Sequence, residues 1–126
     1  MSMFETAMFF DAMENLCKSA HDNAKAKGFW DGDENRNIPT KIALIHSELS
    51  ELLEAFRSGP QYCGKPCEIL CKDGVRPLTA IEEEIADVMI RLADLCGFLG
   101  VDLGRVTLAK MEYNAKRPQM HGGKKF

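Results

Sequence analysis

No apolar run in this chain approaches the roughly 20 residues a membrane-spanning helix needs, and no internal repeat is present. The first residues have no basic stretch, and acidic Glu5 precedes most of the apolar ones, so this end does not read as a secretory signal. Positive charge is not in excess: the net charge is −3 and the isoelectric point near 5.6, which argues against a protein whose main task is gripping nucleic acid. The cysteines number five, an odd count that suits a reducing, cytoplasmic setting better than a disulfide framework. Nor is there a period-two β pattern longer than a few residues. At 126 residues the chain is sized for one domain, spanning 1–126, and is too short for two.

What the chain does have is apolar residues at helical spacing. Met8, Phe9, Ala12, Met13, Leu16 and Ala20 recur at steps of three and four, predicting a helix from Phe4 to Lys27 that Gly28 stops. A polar connector at 32–37, preceded by Phe29 and Trp30, leads to Pro39 at the start of a second helix. Its stripe is Ile42, Ile45, Leu49, Leu52, Leu53 and Phe56, and Gly59-Pro60 ends it. Residues 59–78 are rich in Gly, Pro and Cys without any period and read as a loop insertion. Within it Cys63, Cys67 and Cys71 form C-x3-C-x3-C, an incomplete zinc set without a nearby histidine. Thr79-x-x-Glu82 is a capping box that opens a third helix with the stripe Ile81, Ile85, Val88, Leu92, Leu95 and Leu99, its end loosened by Gly97 and Gly100. A fourth helix runs from an Asp102 cap to about Ala115, and Pro118 and Gly122-Gly123 close the ordered part. Cys17 and Cys96 fall inside helical patterns like small core residues. The expected fold is all-α, a four-helix bundle with a basic tail at 116–126.

Two acidic pairs stand out, Glu48-x-x-Glu51 and Glu84-x-x-Asp87. At that spacing both carboxylates of a pair leave the same helix face and repel, costing a few tenths of a kcal/mol. On a helical wheel Glu48 and Glu51 interleave with Leu44 and Ala55, whereas Glu54 falls in the polar arc of His46, Ser47, Ser50 and Arg57. Glu84 and Asp87 border the third helix's buried stripe, near Arg91, Leu95 and Phe98, while Glu82 is explained as a cap. Four converging carboxylates suit a hard divalent cation such as Mg2+; the alternative is a solvated helix edge with incidental spacing. A ferritin-like di-iron site would pair Glu with Glu-x-x-His, and none of His21, His46 or His121 has a Glu three residues before it.

These residues carry a resemblance. The chain resembles the MazG-like, all-α nucleoside triphosphate pyrophosphohydrolases, whose E-E-x-x-E block followed by E-x-x-D is matched by His46-Ser47-Glu48-Leu49-Ser50-Glu51 and Glu84-Ile85-Ala86-Asp87. Ser47 replaces the first glutamate of the doublet. Asp102-Leu103, Lys110, Asn114 and Arg117-Pro118 are similar to the family's closing helix and basic tail, Trp30 to its substrate-pocket aromatic, and His21 to a helix-one histidine. The resemblance covers roughly 16–118 without the insertion. It implies hydrolysis of a (deoxy)nucleoside triphosphate to the monophosphate and pyrophosphate, as in house-cleaning of non-canonical or excess nucleotides. Glu48, Glu51, Glu84 and Asp87 would hold Mg2+, with Mn2+ as a substitute, and act catalytically. Lys110 and Arg117 would meet the polyphosphate and Asn114 would donate a hydrogen bond to substrate; alternatively these three cap the dipole of the last helix. Trp30 stacks on the base or is a core anchor, and His21 faces the base or is solvated. A homodimer or homotetramer is implied, and the surplus apolar positions Leu44, Ile90 and Phe98 agree. No nucleic-acid or membrane partner is expected. The competing expectation is a catalytically idle helical module that binds a nucleotide or a protein.

Overall fold

The computed structural model describes residues 1–59, 66–72, 74 and 76–118. Four helices carry the fold among them: α1 (Met3–Ala26), α2 (Ile38–Arg57), α3 (Ala80–Leu99) and α4 (Leu103–Ala115). Each start has a chemical cause. Ser2 and Glu5 form a reciprocal capping box that opens α1 a residue earlier than its apolar period suggests, with Glu5 N–H donating to Ser2 Oγ at 3.2 Å and Ser2 N–H to Glu5 Oε2 at 2.7 Å. Asn37 caps α2 through Thr40 N–H, with Pro39 in the first turn. Thr79 and Glu82 cap α3 reciprocally, as expected, and Arg76 forks onto the same Glu82 carboxylate at 2.7 and 2.8 Å. Arg76 and the capping N–H together hold the Glu82 carboxyl down at about 2. Asp102 caps α4 by accepting from Arg105 N–H.

The insertion is not structureless. Strands β1 (Pro66–Leu70) and β2 (Pro77–Thr79) pair antiparallel, Pro66 opposite Thr79 and Leu70 opposite Pro77, with an irregular register between. Five residues facing three, almost all of β1 exposed, cannot write a period-two pattern, so the hairpin was invisible to periodicity. The all-α expectation becomes a helical bundle with a small hairpin. Cys67 and Cys71 lie on and beside β1 as free thiols; Cys63, Gly122-Gly123 and the lysines of the tail past 118 fall outside the described residues.

Helix α3 is central, with α1 on one side and α2 on another, and α4 leans on α1. The α1–α3 contact is built from small side chains, Cys17, Ala20, Ala93 and Cys96, with Leu16 and Leu103 half-buried against them. Burial pushes both thiols up, keeping them neutral. Gly97 belongs to this contact and does not loosen the helix end: a Cβ there would meet His21 Cβ at 2.7 Å and the Cys17 carbonyl oxygen at 2.8 Å. The loosening is at Gly100 alone, whose φ of +67° ends α3.

The expected core stripes point elsewhere. On α2, Ile42, Leu49, Leu53 and Phe56 are 44–58 % exposed, and on α3 Ile85, Leu92 and Leu99 are also exposed, while Leu95 is buried. The interior of the single chain is thus lined by the other flank of α2, where Glu48 sits. No helix among the described residues is long and apolar enough to cross a membrane.

Candidate metal centre

Packing α2 on α3 brings Glu48, Glu84 and Asp87 together, one oxygen of each lying within 4.8 Å of the others. Glu48 is buried, Glu84 and Asp87 half-buried. Their charges conflict. Burial raises Glu84 first, and the fields of Glu51, Asp87, Glu83 and Glu48 raise it further; burial, then Glu48 and Glu83, raise Asp87, and Arg91 partly offsets this. Glu48 is held by an ion pair in which Arg91 Nε donates to its Oε1. Glu51 is exposed on the next turn and reaches the cluster through its field on Glu84, outside the close triad. Three oxygen donors at this separation match the donor chemistry and charge of a hard divalent ion, so the residues fit one.

The triad borders a groove of about 600 Å³ between α1, α2 and α3. Three helical stripes at three- and four-residue steps make its walls: Leu16, Ala20 and Asn23 from α1, continued by Lys27 at its C-cap; Lys41, Leu44 and Glu48 from α2; Asp87, Arg91 and Asp94 from α3. One wall is therefore acidic with an arginine in it, and the facing walls bring two lysines and an amide.

His21 and Trp30 are brought together, by a residue the sequence reading passed over. Asp94 Oδ1 lies 2.8 Å from His21 Nδ1 and accepts from Trp30 Nε1–H, also at 2.8 Å. The indole is buried, stacked on Phe98 at 4.3 Å between ring centroids, and Lys41 Nζ lies 4.2 Å from its centre. With Phe98 stacked and Lys41 seated over the ring, a base could stack only by moving one of them. Asp94 was legible: it follows Glu84, Asp87 and Arg91 at steps of three, four and three on one face of α3. Lys41, seven residues or about two turns before Glu48, was legible in the same way.

Lys110, Asn114 and Arg117 are not brought to the carboxylates within one chain. They are exposed on and just after α4, which packs on α1, and none of them lines the groove. Lys110 and Asn114 share a shallow depression with Val106, Thr107 and Met111, and Lys110 Nζ sits 4.8 Å from the Tyr113 ring centre. Comparison with protein families, with curated proteins and with solved structures found no match for this chain.

Proposed function

We propose that the chain is a Mg2+-dependent, MazG-like pyrophosphohydrolase of nucleoside triphosphates, working as a cytoplasmic homodimer or homotetramer. The observation that carries this reading is the convergence of Glu48, Glu84 and Asp87 at the wall of a groove large enough for a nucleoside. When bound, the ion supplies neutralisation of phosphate oxygens and a more acidic water. Glu48, Glu84 and Asp87 would hold it, with Glu51 completing the set from the solvent edge. Lys27 and Lys41 offer point charges and Asn23 an amide to the same ligand, while Leu16, Leu44 and Ile90 give it apolar contact. Asp94 lines this groove and fixes the ring orientations of His21 and Trp30, neither of which lines it.

The assembly rests on surface chemistry. Leu49, Leu53 and Phe56 on α2 and Ile85, Met89 and Leu92 on α3 are exposed, more apolar surface than a lone chain of this size leaves to solvent without a partner. A second copy would cover such faces by symmetry, and it is the route by which Lys110, Asn114 and Arg117 could approach a carboxylate cluster they do not reach in their own chain.

A catalytically idle binding module is favoured by one observation: the most buried carboxylate of the cluster already has a cation, Arg91. A screen of canonical and modified nucleoside triphosphates with Mg2+, reading pyrophosphate, separates the two. Release that stops with EDTA and returns with Mg2+ or Mn2+ supports the enzyme; hydrolysis that ignores EDTA refutes the metal mechanism, and no release from any triphosphate leaves the module.

A further inference from the structure

Among the described residues, Arg91 is the cation that ion-pairs with the acidic triad. Its Nε donates to the deepest carboxylate, Glu48, while the rest of the guanidinium lies in a side chain still 41 % exposed along the groove wall. Its field opposes the upward shift of Asp87 without reversing it, while every charge acting on Glu84 is negative. A divalent cation entering the triad would bring double the charge to the same oxygens, and a guanidinium beside it would then be repelled.

We propose, building on the metal-centre reading, that Arg91 is a resident counter-ion that yields Glu48 to the incoming divalent cation. The released guanidinium then turns into the groove it already lines and forks onto the anionic part of the ligand. The arginine thus stands in for the metal when the site is empty of it and joins the ligand when the metal arrives. Metal occupancy and readiness for an anion become one event. The opposite role is physically distinct: a guanidinium that stays on Oε1 would orient Glu48 and strengthen its hold on the metal, as outer-shell partners of metal ligands commonly do.

The test uses the ion alone. Mn2+ is titrated into the wild-type protein, Arg91→Met and Arg91→Lys, with free Mn2+ read by electron paramagnetic resonance. Displacement predicts that Arg91→Met binds Mn2+ about tenfold or more tightly than wild type, since charge count tunes such sites over decades of affinity, with Arg91→Lys in between. Weaker binding by Arg91→Met overturns the proposal in favour of the orienting role, and equal binding overturns it too. Inorganic pyrophosphate added to the Mn2+-loaded proteins should bind about tenfold less tightly to Arg91→Met, the loss of one charge-assisted fork; equal binding removes the ligand half of the proposal. Should the methionine variant fail to fold, the wild-type protein still decides. Its Arg91 Nε–H resonance, slow to exchange in EDTA, should shift and exchange faster as Mg2+ saturates, and a signal unmoved at saturation refutes release. If neither wild type nor variant takes up Mn2+ at one-to-one or higher stoichiometry, the metal-centre reading itself falls, an outcome distinct from the others.

Discussion

Neutralising Glu84 should make the metal-free protein more stable while removing its response to metal. In the triad its oxygen lies within 4.8 Å of those of Glu48 and Asp87, and every charge acting on it is negative. One like-charge pair at 4.8 Å repels by about 0.9 kcal/mol at the dielectric of water and about 3.5 kcal/mol at an effective value near 20. Half-burial favours the lower part of that range, so Glu84→Gln, which keeps the shape, should gain about 1–2 kcal/mol in EDTA. For a chain of 126 residues that corresponds to about 4–8 °C in melting temperature. The wild type should gain a further 2.7 kcal/mol or so at Mg2+ one hundred times its Kd, and the variant far less.

The companion substitution has the opposite sign. Glu48→Gln leaves Arg91 facing a neutral amide and should destabilise by about 1–2 kcal/mol, below the usual penalty for a broken buried pair because the arginine is 41 % exposed. The pH dependence follows from the raised carboxyls. The folded protein keeps the Glu84 and Asp87 protons to higher pH than the unfolded chain, whose values are near 4.5 and 3.8. Stability in EDTA therefore rises as pH falls into the range just above those values, and it is lost again as pH climbs through the folded pKa. Glu84→Gln should flatten that slope. Thermal and urea unfolding followed by circular dichroism, with EDTA or Mg2+, reads all three effects. A Glu84→Gln protein that is less stable than wild type in EDTA, or that gains as much from Mg2+, refutes the crowded-carboxylate reasoning.

Asp87→Asn should lose at least about a hundredfold in pyrophosphate release with its helical content intact, the scale expected when a charge-stabilising group is removed from a phosphoryl-transfer site; loss only through unfolding counts against the ligand role. Sedimentation at micromolar concentration should give a dimer or tetramer, and Leu53→Asp, placing a charge on an exposed apolar face of α2, should shift it toward monomer; a folded wild-type monomer of 14.1 kDa contradicts the assembly. Replacing Cys63, Cys67 and Cys71 by serine should leave metal-dependent turnover within a few-fold, and stoichiometric zinc lost together with activity would decide otherwise. Gly97→Ala should destabilise by about 1–3 kcal/mol despite alanine's better helix propensity, because the new methyl meets the Cys17 carbonyl oxygen at 2.8 Å; a neutral or raised melting temperature would show that α1 yields there.

Helix positions were legible because caps and punctuation are local. Thr79 with Glu82, Asp102, Pro39 and Gly28 act within one turn, so their meaning does not depend on what packs where. The face that holds carboxylates was legible in part, from spacing: Glu48 on the flank with Leu44 is buried and Glu54 is exposed beside Arg57, but Glu51, read onto the same flank as Glu48, is exposed and outside the close triad. Which apolar face meets the chain's own core was not. A hydrophobic period says that a stripe will be covered, not by what, and on α2 the stripe of Leu49, Leu53 and Phe56 is exposed. Long-range partners were equally silent: nothing local to His21 or Trp30 states that one oxygen of Asp94 will hold both.

The same geometry ties stability to the proposed chemistry. In one chain α3 has its small residues toward α1, its charged stripe toward the groove and much of its apolar surface toward solvent. The cysteine and alanine of the α1–α3 contact contribute little apolar area, roughly a CH2 or two per residue at about 0.8 kcal/mol each, and Trp30 and Leu95 are the large side chains buried among the described residues. The carboxylate triad subtracts from that. On the proposed reading, such a fold would gain further stability from outside the single chain, from a second copy across the α2 and α3 faces and from a cation among the carboxylates. The two should therefore be additive in unfolding experiments, since they act on different faces of the same helices. Mg2+ should raise the melting temperature of a Leu53→Asp protein that stays folded by nearly the increment seen in the wild type, if one chain suffices to hold the ion. A Mg2+ increment that vanishes with the assembly would show instead that the carboxylate cluster is held in place by the second copy.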